Sequence, residues 1–364
     1  MTGDRHVRFC ERLGGEIPPC LLSGEFFLKE VSMSTKNFKA MIVKESNGKY
    51  IREIGKKNII DLPEGEVLIK VKYSSLNYKD ALSAIGNKGV TKNYPHTPGI
   101  DAAGLVESSE NPLFKPDDKV IVTGYDLGMN TSGGFGQYIR APAAWVIKLP
   151  ENLTLKKSMI YGTAGFTASL SLYKMESMGL APPGDEVLVT GASGGLGSMA
   201  VAILSKAGYN IVAPTGKPGK EEYFRKLGAK SVIHRDEVND TGGRPMLKGR
   251  WRAVIDTVGG NILATAIKST KRDGLVAVCG LTLSPEFNIT VFPFILRRVC
   301  MIGIDSAECP MTDRTRIWNK IANEWRIESL EDIYTECSLE ELDNKIDLIL
   351  NGKLSVRTVV NLEL

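Results

Sequence analysis

An apolar run that ends in a group of glycines places the strongest constraint on the fold. The stretch VLVTGASGGLGS, residues 187–198, has the pattern of a strand that turns at once into a helix. Glycines let the backbone turn tightly and approach a pyrophosphate, and the first turn of a helix offers free N–H groups to such an anion. Ala192 replaces the first glycine of the common G-x-G-x-x-G pattern, so the interpretation depends on the flanking elements. The alternative is a glycine-rich turn that only lets a helix pack on a sheet.

Strand and helix patterns alternate after the glycines. Apolar runs such as NIVAPTG and GLVAVCGL are separated by helical stretches such as KEEYFRKLGA, which is typical of a parallel, doubly wound sheet. The part up to about residue 150 differs, because FKAMIVKES, GEVLIKVKYSSLN and DKVIVTGYD predict short strands between Gly/Pro turns, and therefore a β-rich, barrel-like domain. Between the two parts, LTLKKSMIYGTAGFTASLSLYKMESMG predicts a long helix.

A lysine stands where an acid is expected at the end of the second strand. That strand usually ends near an Asp or Glu that binds the ribose 2′-hydroxyl. Here NIVAPTGKPGK, residues 210–220, provides Thr215, Gly216 and Lys217 and no acid. A hydroxyl, a flexible backbone and an ammonium suit a 2′-phosphate, which a carboxylate would repel. The sequence therefore predicts NADPH rather than NADH, with a solvated turn lysine as the alternative for Lys217.

Composition excludes several other classes of protein. With 364 residues, 43% of them hydrophobic and 24% charged, the chain is expected to form roughly two soluble domains. No apolar stretch approaches the ~18 residues of a membrane helix, and a net charge of +4 is too small to indicate nucleic acid. The six cysteines include no C-x-x-C pair and there are three histidines, so neither a zinc site nor a disulfide framework is predicted, and a reducing cytoplasm is the expected compartment.

The first 32 residues differ from the rest of the chain. They show no sustained periodicity, and Lys29-Glu30-Val31 can be encoded by a purine-rich ribosome-binding sequence just before Met33. We therefore expect residues 1–32 to be a translated leader, with Met33 as the natural start. An ordinary disordered tail is the alternative, and mass spectrometry of the native N-terminus decides between them.

Six stretches, in order along the chain, resemble one known group of proteins. They are SSLNYKDALSAIG, YPHTPGIDAAG, YGTAGFTASLSL, VLVTGASGGLGS, DTVGG and VFPFILRRVCMIGIDSAECP. With them, residues 38–364 resemble the medium-chain dehydrogenase/reductase superfamily, in its zinc-free acrylyl-CoA reductase and quinone oxidoreductase branch. The resemblance implies an α/β fold class, a GroES-like β-rich domain plus a Rossmann doubly wound parallel sheet. It implies a GroES-like catalytic domain over 33–155, completed by 305–364, a Rossmann NADPH-binding domain over 156–304, and a homodimer.

Position 100 bears directly on the chemistry. Zinc-dependent relatives carry Gly-His-Glu where this chain has Gly99, Ile100 and Asp101, and Ile100 cannot bind a metal. The resemblance therefore implies that no zinc is needed. Without a Lewis acid an ordinary ketone is a poor hydride acceptor, whereas a conjugated acceptor needs only hydrogen-bond donors for its developing enolate. An α,β-unsaturated thioester or a quinone is the expected substrate.

The resemblance also implies a set of cofactor-binding residues. It places Ser193, Gly194, Gly195 and Leu196 around the pyrophosphate, Thr215, Gly216, Lys217 and Arg235 around the adenosine phosphate, and Thr163, Thr167, Leu281, Ile295 and Ser306 at the nicotinamide. A guanidinium at Arg235 suits phosphate oxygens, and a surface arginine at a strand end is the alternative. Packing is the alternative for Leu281, Ile295 and the two threonines.

Asn77, Tyr78 and Asp80 form the candidate catalytic cluster. The Tyr78 phenol can donate to an enolate oxygen or deliver a proton, or it can stack against the cofactor. Asn77 and Asp80 can instead hold the loop through local hydrogen bonds. Arg297 is a candidate for the cofactor or an anionic substrate, and it precedes Arg298, where the family usually has glycine.

These observations together predict the NADPH-dependent reduction of an activated carbon–carbon double bond. Acrylyl-CoA is the expected substrate, with hydride transfer to the β-carbon followed by protonation of the α-carbon. A quinone or enone reductase that makes no use of coenzyme A is one alternative. A non-catalytic NADPH-binding protein is another alternative. RNA binding is not indicated for such a protein, because the sequence has no stripe of basic and aromatic residues.

Overall fold

Two large β-sheets, a separate two-stranded hairpin and the helices packed on them form the part of the chain described by the computed structural model, residues 36–328, 330–354 and 356–364. The expected leader, residues 1–32, lies outside the described residues. None of the helices described is both long and apolar enough to cross a membrane.

Fifteen strands occur in the described residues. Their bounds are Asn37–Ser46 (β1), Lys49–Asn58 (β2), Val67–Leu76 (β3), Asp101–Ser109 (β4), Lys119–Thr123 (β5), Tyr138–Ala141 (β6), Ile147–Lys148 (β7), Glu186–Val189 (β8), Asn210–Thr215 (β9), Ser231–His234 (β10), Trp251–Asp256 (β11), Thr270–Val278 (β12), Cys300–Gly303 (β13), Tyr334–Cys337 (β14) and Arg357–Asn361 (β15).

Eight α-helices connect or cover these strands within the same described ranges. They span Tyr78–Ala84, Leu155–Ser177, Gly195–Lys206, Glu221–Lys226, Gly260–Lys268, Phe292–Arg297, Met311–Ala322 and Leu342–Leu350. Short 3₁₀ turns lie at Ile59–Asp61, Ala143–Trp145, Arg235–Val238 and Glu331–Ile333.

The sheet formed after the glycine run has six strands in the order β10-β9-β8-β11-β12-β13. All of its pairings are parallel. The chain enters at the central strand β8, winds outward to β10 and then returns to β11 on the other side. The carboxyl ends of β8 and β11 therefore meet where the winding reverses, which is where open α/β sheets bind their ligands. The doubly wound parallel sheet predicted from the sequence is confirmed.

The other sheet combines the two ends of the described chain. Its order is β14-β15-β3-β4-β5-β7, with β6 also paired to β3, and β1 and β2 form a separate antiparallel hairpin. The late strand β15 pairs antiparallel with the early strand β3, and β14 pairs parallel with β15. The parallel sheet is thus an insertion between two parts of a mostly antiparallel one, as the GroES-like interpretation predicts.

Helix Leu155–Ser177 lies between the two sheets and contacts strands of both. The sequence predicted one long helix here, but the backbone leaves helical geometry at Gly162, which has φ 48° and ψ −157°. The helix is therefore two helices joined at one residue. The break lies beside a buried polar cluster, described below, that the helix would otherwise cover with side chains.

Candidate active site

The glycine run forms a backbone cradle at the start of helix Gly195–Lys206. Gly191 has a positive φ of 60°, and a Cβ added to Gly197 would lie 2.2 Å from the Gly191 carbonyl oxygen. Gly194 is the N-cap residue, and no side chain caps the helix. The first N–H groups of the helix thus have no side-chain partner and are available to an anion. This geometry fits a pyrophosphate held by Ser193, Gly194, Gly195 and Leu196, which are all partly accessible.

The end of β9 carries the residues predicted for the adenosine phosphate. The Thr215 hydroxyl accepts a hydrogen bond from the Lys217 backbone N–H at 3.1 Å. Gly216 lies under the guanidinium of Arg235, since a Cβ added to Gly216 would be 3.3 Å from the Arg235 Cζ. Lys217 and Arg235 are exposed, and neither has an ion-pair partner among the described residues. The structure thus places the Arg235 guanidinium beside the turn 215–217, which carries the Thr215 hydroxyl and Lys217, and these are groups that suit a phosphate.

Thr163, Thr167 and Ser306 meet at the junction between the sheets. The Thr167 Oγ1 lies 2.6 Å from the Thr163 carbonyl oxygen and 2.8 Å from the Ser306 Oγ. Helix Leu155–Ser177 supplies the two threonines, and the segment after β13 supplies Ser306. Three of the five residues predicted for the nicotinamide are therefore in one place.

Leu281 and Ile295 are both exposed, with 58% and 67% of their surfaces accessible. Leu281 follows the carboxyl end of β12, and its Cα would lie 3.5 Å from a Cβ added to Gly259, so it is on the site side of the sheet. Ile295 lies on the short helix Phe292–Arg297. Neither side chain is therefore packed in the core, as the alternative interpretation required.

A buried polar cluster lies behind these residues, centred on Asp101. The Asp101 Oδ2 accepts hydrogen bonds from the Ser75 hydroxyl (2.5 Å), the Asn77 amide (2.8 Å) and the Thr163 backbone N–H (2.9 Å). Its Oδ1 accepts from the Thr163 hydroxyl at 2.6 Å. The Thr163 N–H is free for this bond because the helix breaks at Gly162. Asp101 is completely buried, so these four donors replace water around a charge that would otherwise be costly.

Arg357 provides the positive charge of the cluster from the last strand, β15. It is 3% exposed, and one of its Nη atoms lies 3.9 Å from the Asp101 Oδ2. The guanidinium also donates to the carbonyl oxygens of Ile160 (3.2 Å) and Leu76 (3.1 Å). Burial lowers the pKa of Arg357, and the carboxylates of Asp101 and Asp80 partly offset this effect.

Arg357 also reaches the glycine cradle. A Cβ added to Gly195 would lie 3.3 Å from the Arg357 Cδ. The positive charge is therefore close to the N–H groups that face a pyrophosphate, which favours an anion there. Neither Asp101 nor Arg357 was predicted from the sequence as a site residue. The available signal was a single arginine inside the otherwise β-branched terminal run VRTVV.

The side chains of Asn77 and Asp80 hold the loop before helix Tyr78–Ala84 in place. The Asp80 oxygens accept backbone N–H bonds from Asn77 (2.7 Å) and Ile100 (2.8 Å), and the Asn77 side chain joins Asp101 to Arg357. Burial, reinforced by the negative charge of Asp101, raises the pKa of Asp80 to about 7. These contacts favour the loop-holding alternative for both residues.

Tyr78 differs from its two neighbours. It begins helix Tyr78–Ala84 and is 38% exposed, so its phenol is open to a ligand. Of the three candidate catalytic residues, Tyr78 is thus the one that a substrate can reach.

The structure does not bring Arg297 to the site. Its guanidinium donates to the carbonyl oxygens of Lys268 (3.0 Å), Thr270 (3.0 Å) and Leu247 (2.5 Å). Thr270 begins β12, so Arg297 lies near the amino ends of the strands, whereas ligands bind at the carboxyl ends.

Arg298 is exposed and forms a two-pronged ion pair with Asp273, with N–O distances of 2.7 and 2.9 Å. Its backbone has a left-handed φ of 52°. This geometry explains why the family usually has glycine there.

Two protein families match the chain. The family described as "Alcohol dehydrogenase GroES-like domain" matches residues 63–151, and the one described as "Zinc-binding dehydrogenase" matches residues 195–322. The second name refers to zinc, but no group of three or more His, Cys, Asp or Glu side chains suited to a metal ion occurs in the described ranges.

Similar proteins fall into the same group. "Putative quinone oxidoreductase YhfP" of Bacillus subtilis is 44% identical over 83% of this chain and 92% of its own length. "Acrylyl-CoA reductase AcuI" of Ruegeria pomeroyi is 41% identical over 89% of this chain and 99% of its own length.

Solved structures agree with the sequence relatives. The YhdH oxidoreductase of Salmonella enterica, in complex with NADP, is 38% identical and superimposes with a TM-score of 0.86 over 89% of this chain and 99% of that one. YhfP of Bacillus subtilis, with NAD bound, is 41% identical with a TM-score of 0.88 over 90% of this chain and 100% of that one. The chain therefore belongs to the medium-chain dehydrogenase/reductase superfamily of oxidoreductases, in the group that contains the acrylyl-CoA reductases and YhfP.

Proposed function

We propose that the protein is an NADPH-dependent reductase of an activated carbon–carbon double bond, with acrylyl-CoA as substrate and propionyl-CoA as product. The observation that carries the cofactor assignment is the end of β9, where Thr215 and Lys217 flank Gly216, the Arg235 guanidinium lies against Gly216, and the stretch 210–220 contains no acid. A dianionic 2′-phosphate gains charge-assisted hydrogen bonds there, whereas the 2′-hydroxyl of NADH finds no carboxylate in that stretch to accept its hydrogen bond. The substrate assignment is supported by the similarity to the Ruegeria reductase.

In this proposal the chain's own residues orient the reactants. When bound, NADPH supplies a hydride for the β-carbon of the substrate. The hydroxyls of Thr167 and Ser306, 2.8 Å apart, line the nicotinamide end and fix its position. The Tyr78 phenol donates a hydrogen bond to the thioester oxygen as negative charge develops on it, and the α-carbon then takes up a proton. Asp80 and Asn77 act indirectly, because they hold the start of the helix that carries Tyr78.

The first test is the oxidation of NADPH with acrylyl-CoA, beside benzoquinone as acceptor and beside NADH as donor. We expect fast turnover of the thioester with NADPH. Tyr78→Phe removes the phenolic hydroxyl and should lower kcat about 100-fold, which is the typical effect of losing one oxyanion donor. Turnover of NADH as fast as NADPH contradicts the cofactor assignment, and no turnover of the thioester contradicts the substrate assignment.

The cofactor assignment has its own variant test. Lys217→Ser should lower the ratio of kcat/KM for NADPH to that for NADH by roughly 10- to 100-fold, because one charged hydrogen bond to the 2′-phosphate is lost. Lys226→Ser is the matched control, since Lys226 is exposed and pairs with Glu222 instead. An unchanged ratio in Lys217→Ser would show that Lys217 is a solvated turn residue.

A quinone reductase is the second candidate function. It is favoured by the 44% identity to the Bacillus protein named as a quinone oxidoreductase. Turnover of benzoquinone in the first test, without turnover of the thioester, would select this candidate.

We also propose a homodimer that works in the reducing cytoplasm. The dimer is supported by the free edge of β13 and by exposed apolar side chains beside it, namely Val291, Phe292, Ile295, Leu296 and Met301.

The compartment is supported by four unpaired cysteines in the described ranges, Cys279, Cys300, Cys309 and Cys337.

A further inference from the structure

A completely buried arginine, which has no acidic partner among the described residues, lies at the junction between the sheets. Arg314, on helix Met311–Ala322, is 0% exposed. Its Nη1 donates to the Thr123 carbonyl oxygen at 2.6 Å, and its Nη2 donates to the carbonyl oxygens of Ser306 (2.9 Å) and Ala307 (2.8 Å). Its Nε donates to the Cys309 carbonyl oxygen at 3.3 Å. No ion pair of Arg314 with a carboxylate is found in the described part of the chain.

Two aromatic rings complete the surroundings of this guanidinium. Its Cζ lies 4.4 Å from the ring centre of Tyr125 and 4.9 Å from that of Phe166. Cation–π contacts and four carbonyl groups compensate the charge in place of an acid. Burial of an unpaired cation is costly unless well-formed contacts compensate it, and the contacts described here hold the guanidinium in one position.

The carbonyl groups that Arg314 binds show which parts of the fold it joins. Three of them belong to the segment 306–309, which carries the chain from the parallel sheet back to the other sheet, and the fourth belongs to the end of β5. A second bond, from the Tyr125 N–H to the Ala307 carbonyl oxygen at 3.0 Å, ties the same two segments together. Arg314 thus sets the position of the returning segment relative to β5.

Ser306 is the residue of this segment that reaches the site. While Arg314 binds the Ser306 carbonyl oxygen, the Ser306 side chain lies 2.8 Å from the Thr167 hydroxyl. One residue therefore connects the buried guanidinium to the nicotinamide end of the proposed cofactor site. The phosphate end, at Lys217 and Arg235, is held by other elements.

We propose that Arg314 is a positioning residue for hydride transfer: its guanidinium fixes the backbone of residues 306–309, and through Ser306 it fixes the nicotinamide end of NADPH without touching it. This inference rests on the proposed function for the place of the nicotinamide. It predicts that the two ends of the cofactor respond differently to loss of the guanidinium. A lysine in its place keeps the charge but has no planar fork to bind four carbonyl groups at once.

The test compares Arg314→Lys with Arg316→Gln, a control on the same helix whose exposed guanidinium pairs with Asp313. Binding of NADPH and of 2′,5′-ADP, which carries only the phosphate end, is measured by calorimetry without any acceptor. In Arg314→Lys we expect the Kd for NADPH to rise about 10-fold and the Kd for 2′,5′-ADP to stay within about twofold, because only the nicotinamide end is misplaced. With the acceptor that the wild type reduces, kcat should fall more than 10-fold and the isotope effect of 4-deuterated NADPH should increase.

Equal weakening of both ligands in Arg314→Lys would overturn the proposal, because it indicates a general loss of structure. Unchanged NADPH binding in a folded variant would overturn it as well. If Arg314→Lys does not fold, Thr123→Val decides, because it removes only the hydroxyl that lies 3.1 Å from the Arg314 Nη1. That variant should raise the Kd for NADPH about threefold and leave the Kd for 2′,5′-ADP unchanged. Since both ligands are measured without an acceptor, failure of the substrate assignment leaves this test intact.

Discussion

At the scale of single residues, Arg298 is a position where the chain departs from the family pattern. Its side chain is exposed and paired with Asp273. We therefore expect Arg298→Gly to leave kcat and both KM values within about twofold of the wild type, as is usual for surface changes. Steady-state kinetics with NADPH and the thioester check this. A KM for the thioester that changes tenfold would show that the added cation selects the substrate.

Asp80 is expected to make stability depend on pH. Its carboxyl has an ordinary pKa of 3.8 and a folded pKa of about 7, so between these values the folded state holds a proton that the unfolded state has released. Stability rises with pH only where the unfolded state binds more protons, so this group makes the free energy of unfolding fall between pH 4 and 7, by up to about 1.4 kcal/mol per pH unit.

Asp80→Asn tests this expectation because the amide does not titrate. The free energy of unfolding, measured with urea at several pH values, should fall less steeply between about pH 4 and 7 in the variant. The variant should also be less stable at every pH, since an amide cannot accept both backbone N–H bonds. The change of the free energy of unfolding with pH is therefore the relevant result. Equal changes in the wild type and in Asp80→Asn would contradict the raised pKa of Asp80.

At the scale of elements, the break in helix Leu155–Ser177 is the feature that builds the site. Gly162→Ala should destabilise the protein by at least about 3 kcal/mol, because alanine adds left-handed strain and a steric conflict. Its Cβ would lie 2.4 Å from the Ser75 Oγ and 2.6 Å from the Asp101 Oδ2.

Gly179→Ala is the control for this variant, since Gly179 also has a positive φ, of 89°, but open space around it. It should cost only the strain, about 1 to 2 kcal/mol. Thermal unfolding measures the loss of stability in both variants. Gly179→Ala reports backbone strain alone, and Gly162→Ala reports strain plus the steric conflict with the Asp101 cluster. Equal losses of stability would contradict the role of the cluster.

The same element shows what the sequence could and could not predict. Local patterns predicted the strand, glycine turn and helix at 187–206 and the acid-free end of β9, because each depends on adjacent residues. The break at Gly162 was missed, since glycine also occurs in helices and small residues surround it. The Asp101 cluster was missed because its members come from β3, β4, β15 and the helix. Only the tertiary fold brings such residues together.

At the scale of the whole molecule, the proposed dimer depends on the free edge of β13. Met301 in this strand is 45% exposed, and Met301→Asp should separate the subunits, because a charge would be buried at the interface. Light scattering with size-exclusion chromatography measures the mass in solution. Leu113→Asp is the control, as Leu113 is 68% exposed on another part of the surface and should leave the dimer intact. A wild-type protein that runs as a monomer would overturn the proposal.

The pairing of β15 with β3 has a consequence for the order in which the protein becomes functional during synthesis. The parallel sheet is contiguous in sequence and can form as soon as β13 has been made, whereas the other sheet must wait for a strand almost three hundred residues later than its partner. That late strand carries Arg357, the cation beside the glycine cradle. We therefore expect a nascent chain to reach the fold of the parallel sheet before it has the charge beside the glycine cradle, so that this pocket is complete only after β15 has been made.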